Sequence, residues 1–326
     1  MSSSTQPNHA HLEAASEWFA VLSDKPVAED DLRAWQTWLS EDEAHRKAWH
    51  QVESVGAIFS SFQSTQQSAG YVLEHSQAMS RRQLMKGMLG VTGVAVLGWV
   101  GWNETPLPTL ASSWMADFHT QVGQVSHHDL EGGIQVWLNT NSAMNRSFGD
   151  HYHSVSLVAG EMMIQTQSAE GGQVFSAACR DGVINVGMDK ARFCIRQLSD
   201  SETVLAVYEG AVSLTPLESD LAKTFQAGQE VTFTAHSMSN AKPSSSLYDT
   251  WRNGLLIVED MPLVDFIDEI GRYHYGYINL DSSVADLRVV GTFPNHNLSI
   301  VLSMLSKSFP IRVKHPLPWW VSISAA

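Results

Sequence analysis

The sequence predicts a multi-domain chain with a small all-α N-terminal domain, a single transmembrane helix, an all-β domain (sandwich, roll or solenoid) and a C-terminal α+β domain of split βαβ type. Its length of 326 residues fits two or three domains. Residues 87–103 contain no charged side chain, and the hydrophobic pattern changes from helical to alternating after them. We expect the domains at 1–79, 80–103, 104–240 and 247–326.

The composition excludes several classes of function. The chain has 20 basic and 34 acidic side chains, a formal net charge of −14, whereas direct nucleic-acid binding needs a basic surface. Two cysteines are too few for a zinc ribbon or a disulfide scaffold. Neither His127-His128 nor the pair His151/His153 has further ligands at metal-site spacing. With no catalytic motif present, we expect no metal, no cofactor and no enzymatic activity.

The first domain is predicted to contain three amphipathic helices. Large apolar side chains recur there at helical spacing, among them Trp18, Trp35, Trp38, Leu39 and Trp49. Ser40 with Glu43 predicts a capping box at the start of the third helix. These tryptophans would form a helical core, and exposed ones would anchor a partner. Residues 1–79 carry 11 acids and 4 bases, net −7, which suits a mask for a basic DNA-binding protein.

A short basic segment precedes the uncharged run. Arg81, Arg82 and Lys86 resemble a twin-arginine export signal, and by the positive-inside rule they place the N-terminus in the cytoplasm. Seventeen residues are near the lower limit for a membrane-spanning helix; the alternative is a buried core helix. The prediction is a single-pass protein with an exported C-terminal part.

The exported part begins with short alternating runs bounded by turn residues. They predict strands at 135–138, 154–158, 183–186, 192–196, 203–207, 211–214 and 230–233. The runs at 203–207 and 211–214 are expected to pair as a hairpin across Glu209-Gly210. Cys179 and Cys194 both lie on predicted exported strands, where a disulfide is chemically allowed. Two buried thiols are the alternative, since pairing depends on a Cα distance that the spacing does not fix.

The last eighty residues change pattern again. After a linker at 240–246, the sequence predicts a strand at 255–258 and a helix at 262–273. It continues with strands at 277–280 and 287–290, a helix at 298–306, and strands at 311–313 and 321–323. This order suggests the split βαβ arrangement.

Short motifs stand in a fixed order along nearly the whole chain. They lie at 17–22, 35–39, 44–49, 122–123, 138–142, 157–161, 209–212, 227–229, 251–255, 261–263, 271–273 and 291–293. Because these motifs occur in this order around a predicted membrane segment, the chain resembles the FecR family of transmembrane anti-sigma regulators.

The resemblance implies a bacterial inner-membrane protein with a cytoplasmic N-terminus and a periplasmic C-terminus. The helical tryptophans and Leu39 would bind an extracytoplasmic-function sigma factor. The C-terminal domain would contact the periplasmic signalling domain of a TonB-dependent outer-membrane receptor for an iron siderophore or haem, and site-specific proteases would then release the sigma factor. The expected receptor surface contains Trp251, Gly254, Leu263, Phe266, Arg272 and Tyr273.

The chain departs from the family pattern at Leu130-Glu131-Gly132-Gly133, a mild change in turn chemistry, and at Gly187-Met188. Some members cleave themselves at Gly-Thr, where the hydroxyl attacks, whereas this chain has Gly187-Met188. We therefore expect an uncleaved exported region. A different class of function also fits the residues, namely a twin-arginine-exported periplasmic β domain with enzymatic or carbohydrate-binding activity. In that case the mature protein would begin after residue 103.

Overall fold

A computed structural model describes residues 7–23, 27–57, 116–149, 152–168, 174–198 and 201–326. The basic residues Arg81, Arg82 and Lys86 and the predicted span at 87–103 lie outside these ranges. Within them, no helix has the length and apolar character needed to cross a membrane. The chain divides into two compact units. One joins the N-terminal helices to Gly276–Asn279 and Lys314–Ile323, and the other contains the β domain with the rest of the C-terminal region.

The N-terminal region contains the three predicted helices. They are α1 (His9–Ser23), α2 (Glu29–Glu41) and α3 (43–57). Three acidic residues in the first turn of α2 favour its start by interacting with the positive end of the helix dipole. The predicted capping box is wrong, because α2 continues through Ser40 to Glu41. Instead, the Asp42 carboxylate accepts a 2.9 Å hydrogen bond from the Ala44 N–H and caps α3.

The β domain is a sandwich of two seven-stranded sheets. One sheet has the order β1-β4-β5-β7-β8-β11-β12 and the other β14-β13-β10-β9-β6-β3-β2. The strands are β1 (Phe118–His119), β2 (Ser126–Leu130), β3 (Ile134–Leu138), β4 (Ala143–Phe148), β5 (Tyr152–Ala159), β6 (Glu161–Gln165), β7 (Val174–Cys179), β8 (Gly182–Val186), β9 (Arg192–Gln197), β10 (Thr203–Glu209), β11 (Ala211–Pro216), β12 (Lys223–Gln226), β13 (Gln229–Phe233) and β14 (Lys242–Pro243). All seven predicted strands are present, and β14 lies in the predicted linker.

The predicted hairpin between β10 and β11 is wrong. β10 pairs with β9 and β13, whereas β11 pairs with β8 and β12 in the opposite sheet. The chain crosses between the sheets at Gly210, whose φ of 71° is in the left-handed region. A Cβ there would lie 2.2 Å from the Lys190 carbonyl oxygen. Gly160, with φ 88°, makes the equivalent crossing between β5 and β6.

Apolar side chains from both sheets form one core between them. In β3, Ile134, Val136 and Leu138 point inward, in the alternation that a half-buried strand requires. Phe193 from one sheet and Phe225 from the other are both fully buried in the core. Of the three predicted all-β architectures, the sandwich is the one present.

The C-terminal region begins with a single helical turn, α4 (Leu247–Thr250). It continues with β15 (Leu255–Pro262), α5 (Leu263–Gly271), β16 (Tyr277–Leu280), β17 (Arg288–Pro294), α6 (Leu298–Ser308), β18 (Ile311–Leu317) and β19 (Trp320–Ala325). The predicted order of elements is present. The strands pair in two separate sets, β15-β17 and β16-β19-β18, so the split βαβ arrangement stays a prediction.

Candidate functional site

The N-terminal helices present an aromatic surface that is only partly covered. The five side chains predicted to bind a sigma factor are all half-buried: Trp18, Trp35, Trp38, Leu39 and Trp49. Trp35 and Trp49 have ring centroids 5.0 Å apart, and Trp38 stacks on His45 at 4.4 Å. Together with Phe19 on α1, whose ring lies 5.8 Å from that of Trp49, these contacts hold the three helices together while leaving part of each ring accessible.

Helix α2 is the least covered of the elements in this region. It contains no buried residue, and Leu32 on it is 39% exposed. The indole Nε1 of Trp35 is buried without a hydrogen-bond partner, which costs free energy within the helical region. Tryptophan is enriched among the residues that dominate binding energy at protein interfaces. The half-buried tryptophans beside exposed Leu32 therefore make α2 a candidate protein-binding surface.

A second site, which we call the junction, joins the β domain to helix α5. It consists of two carboxylates, two guanidinium groups, an amide and a phenol: Glu161, Glu269, Arg196, Arg272, Asn139 and Tyr273. Arg272 donates to Glu161 and to Glu269, each at 2.8 Å. Arg196 pairs with Glu269 at 2.7 Å. The two negative and two positive charges therefore neutralise one another inside the protein.

Polar groups complete the junction. The Asn139 amide donates to Glu161 and to the Tyr273 hydroxyl, at 2.9 and 2.8 Å. The Thr140 hydroxyl donates to the Arg272 carbonyl oxygen and accepts from the Gly123 N–H. Four of the sequence motifs, at 122–123, 138–142, 157–161 and 271–273, thus meet at one place although they are far apart in the chain.

Ion pairing at the junction shifts the pKa values of Glu269 and Arg272. Burial opposes ionisation of Glu269, but Arg272 and Arg196 outweigh it and lower its pKa. Burial likewise opposes the charge on Arg272, and Glu161 and Glu269 reverse that effect and raise its pKa. Burial raises the pKa of Tyr273, so its hydroxyl stays protonated. This arrangement of mutually paired charges suits a rigid joint.

Four of the six residues predicted to bind a receptor are buried in the interior of the C-terminal region. Trp251, Leu263 and Phe266 are fully buried, Tyr273 is 3% exposed, and Arg272 belongs to the junction. Gly254 ends the turn of residues 251–253 with φ 78°, donating its N–H to the Trp251 carbonyl. These side chains support the fold around α5 and do not form a surface of their own. Their role toward a receptor stays a prediction.

Both cysteines are free thiols, so the disulfide alternative is wrong. Cys179 on β7 and Cys194 on β9 belong to opposite sheets. Each is buried and donates to an oxygen, Cys179 to the Gly182 carbonyl at 3.4 Å and Cys194 to Glu161 at 3.5 Å. Burial raises the pKa of both thiols. Among the described residues, no group of three or more His, Cys, Asp and Glu side chains is arranged to hold a metal.

The junction was not predicted from the sequence. Glu161 and Arg272 are separated by 111 positions, and an isolated acidic or basic residue carries no sign of a buried partner. The available signal was indirect: Glu161 and Arg272 each lie in one of the short sequence motifs, Leu157–Glu161 and Gly271–Tyr273. Asp42, the cap of α3, was missed because Ser40 and Glu43 have the more familiar capping-box spacing.

Comparison with known proteins supports the resemblance found in the sequence. Residues 116–213 match the family model of the FecR protein, and residues 13–55 match a domain of unknown function, DUF4880, which is the N-terminal region of FecR proteins. Two crystal structures of a candidate anti-sigma factor from Parabacteroides distasonis are similar. They have TM-scores of 0.53 and 0.52 at 19% and 18% identity, and each match covers 64% of this chain and 98% of the other. No curated protein matches the sequence.

Proposed function

We propose that this chain, which belongs to the FecR family, is a single-pass transmembrane anti-sigma factor. Its N-terminal helices bind an extracytoplasmic-function sigma factor in the cytoplasm. Its exported region responds to the periplasmic signalling domain of a ligand-loaded TonB-dependent outer-membrane receptor in iron-siderophore or haem uptake. Site-specific proteases then release the sigma factor into transcription. The regulatory role is non-enzymatic.

The partly covered aromatic surface on α2 and α3 carries this proposal. It lies within the part of the chain that matches DUF4880, next to an acidic helix start. Sigma factors bind DNA and therefore need basic surfaces. An acidic helical surface with exposed and half-buried apolar side chains is complementary to such a protein in charge and in hydrophobic character.

The experiment that tests the sigma-binding role uses the full chain. We expect tagged full-length protein, solubilised from membranes, to retain a co-expressed extracytoplasmic-function sigma factor at moderate salt. Leu39→Glu should reduce this retention, because it places a charge among the half-buried apolar side chains of α2. Arg33→Ala is the matched control, since the Arg33–Asp30 pair on the same helix is exposed and contributes little. Failure of the unaltered chain to retain any sigma factor overturns the proposal.

The membrane topology is proposed from residues 80–103. The basic segment with Arg81, Arg82 and Lys86 precedes seventeen uncharged residues, which places the N-terminus in the cytoplasm and the C-terminus in the periplasm of a bacterial inner membrane. A reporter that is active only in the periplasm should work when fused after residue 326 and fail when fused before residue 1. The alternative is an exported enzyme or carbohydrate-binding protein. It would be favoured if the mature protein begins after residue 103 and is released in soluble form.

A further inference from the structure

The C-terminal three-stranded sheet has one strongly aromatic face, which we call the aromatic face. It consists of Tyr277 on β16, Leu317 on β18, Trp320 on β19, and Trp319 between the last two strands. In the structure these side chains pack against the N-terminal helices, on Leu12, Ala15, Ala48 and Val52, with Phe19 beside them. Trp320 is completely buried and Trp319 is 7% exposed.

The fit between the face and the helices is close. Ala15 and Ala48 are completely buried at the contact. A Cβ added to Gly56 would lie 2.8 Å from Phe19 and 3.2 Å from Trp319. Small side chains on the helices thus allow their backbones to approach the indole rings. The aromatic face is therefore shaped to accept a helix that carries small residues.

Polar groups around the aromatic face contact helix α1. Lys314 pairs with Glu13 at 2.6 Å and lies 4.0 Å from Glu17, one turn further along α1. The Asn279 amide donates to the His9 carbonyl at 3.2 Å. A lysine placed beside two carboxylates at i and i+4 favours an acidic helix over a basic one.

The proposed topology requires this face to lose its cover. A span at 87–103 leaves α1 and α3 in the cytoplasm and the aromatic face in the periplasm, so the contact exists only while both lie on the same side of the membrane. Each aromatic side chain buries roughly 150–250 Å². Two tryptophans and a tyrosine left bare would form an apolar patch at or above the few hundred Å² that soluble proteins normally expose. Such patches usually mark protein-binding sites.

We propose that in the membrane-inserted protein the aromatic face binds the receptor's periplasmic signalling domain, through an acidic amphipathic helix with small residues on its apolar side. This inference rests on the proposed function and identifies the receptor-binding surface within it. The proposed receptor helix would share the apolar and small side chains by which α1 and α3 fill the aromatic face in the structure. The surface differs from the one around Trp251 and Arg272, where the side chains are occupied within the fold.

The test is cross-linking in intact cells that produce the full chain and a tagged TonB-dependent receptor encoded beside it. A photo-cross-linking residue replaces Lys314, at the rim of the face, or Lys307, an exposed lysine at the end of α6 that serves as control. We expect position 314 to cross-link to the receptor at least about fivefold more than position 307. Cross-linking of position 314 to residues 9–56 of the chain itself, or absence of any receptor product from it, overturns the proposal.

A charge reversal provides an independent measurement. Lys314→Glu should lower capture of the receptor at least about fivefold, because it repels an acidic helix, while Lys307→Glu should leave capture unchanged. Equal capture by both variants counts against the proposal. Retention of the sigma factor is measured on the same membranes. Normal sigma retention without a cross-link at 314 defeats only this inference, whereas loss of sigma retention by the unaltered chain defeats the proposed function.

Discussion

The N-terminal helices and the junction hold their parts together in opposite ways. The helices rely on half-buried aromatic rings, and α2 has no buried residue at all. The junction relies on two buried carboxylates and two half-buried guanidinium groups that pair at 2.7–2.8 Å. Apolar contacts are non-directional and can be exchanged for similar contacts with a partner, whereas a buried ion network loses its partners only at high cost. The first arrangement suits reversible binding and the second a permanent joint.

The largest effect should come from breaking the junction. Arg272→Ala leaves Glu161 and Glu269 without their shared guanidinium, and we expect it to destabilise the contact between β6 and α5 by about 3–5 kcal/mol. Hydrogen exchange of the full chain, followed on peptides from these two elements, measures the change. Arg288→Ala, which removes an exposed pair with Asp260, should cost below about 1 kcal/mol. Equal effects of the two variants would contradict the role of the junction as a rigid joint.

A smaller effect is expected in the helical region. Trp38→Ala or Trp49→Ala removes a half-buried ring and should destabilise the helices by about 2 kcal/mol, below the 3–5 typical of fully buried aromatic residues. If the helices inhibit a sigma factor, transcription from its promoters should then rise without ligand. A reporter gene measures this, with Arg33→Ala as the control. If basal transcription stays unchanged in a variant whose helices are shown to be unfolded, the folded helices are not what inhibits the sigma factor.

The smallest effect should be that of pH. The pKa of Glu269 is lower in the folded protein than its ordinary value of 4.5, so its contribution to stability is fully present above about 4.5 and is lost as the pH falls through the lower folded value. Hydrogen exchange of α5 should accelerate in that range, and Glu269→Gln should remove this dependence. Glu209, whose pKa is also lowered but whose carboxylate is exposed beside Lys190, is the control; its Gln variant should keep the acid response of α5.

The elements of this fold follow from local sequence, but their pairing does not. Alternating apolar residues predicted β3, which buries one face. The runs at 192–196 and 203–207 predicted β9 and β10, whose consecutive buried residues show that both faces are covered. The same local pattern led to a wrong hairpin at Gly210, since a glycine with positive φ serves both a tight turn and a crossing between sheets. The two cases differ in their partner strands, because β10 pairs with β9 and β13 whereas β11 pairs with β8 and β12.

The candidate site residues show the same difference between what local sequence predicts and what distant contacts decide. The half-buried tryptophans of the helices were predicted because an amphipathic helix reveals its apolar side in sequence. Arg272 was predicted to face a receptor, although it is held by Glu161 from a distant strand. Sequence spacing reports which side chains share a face of one element. It does not report which buried charge finds a partner elsewhere in the fold.

The two unpaired thiols have a consequence for where this protein folds. With Cys179 and Cys194 buried and reduced, the sandwich contains no covalent bond that depends on the redox state of its surroundings. Few thiolates form at either position, because burial raises both pKa values, and oxidants react mainly with thiolates. The β domain is thus chemically equivalent in a reducing and in an oxidising compartment. It could complete its folding on one side of a membrane and work unchanged on the other.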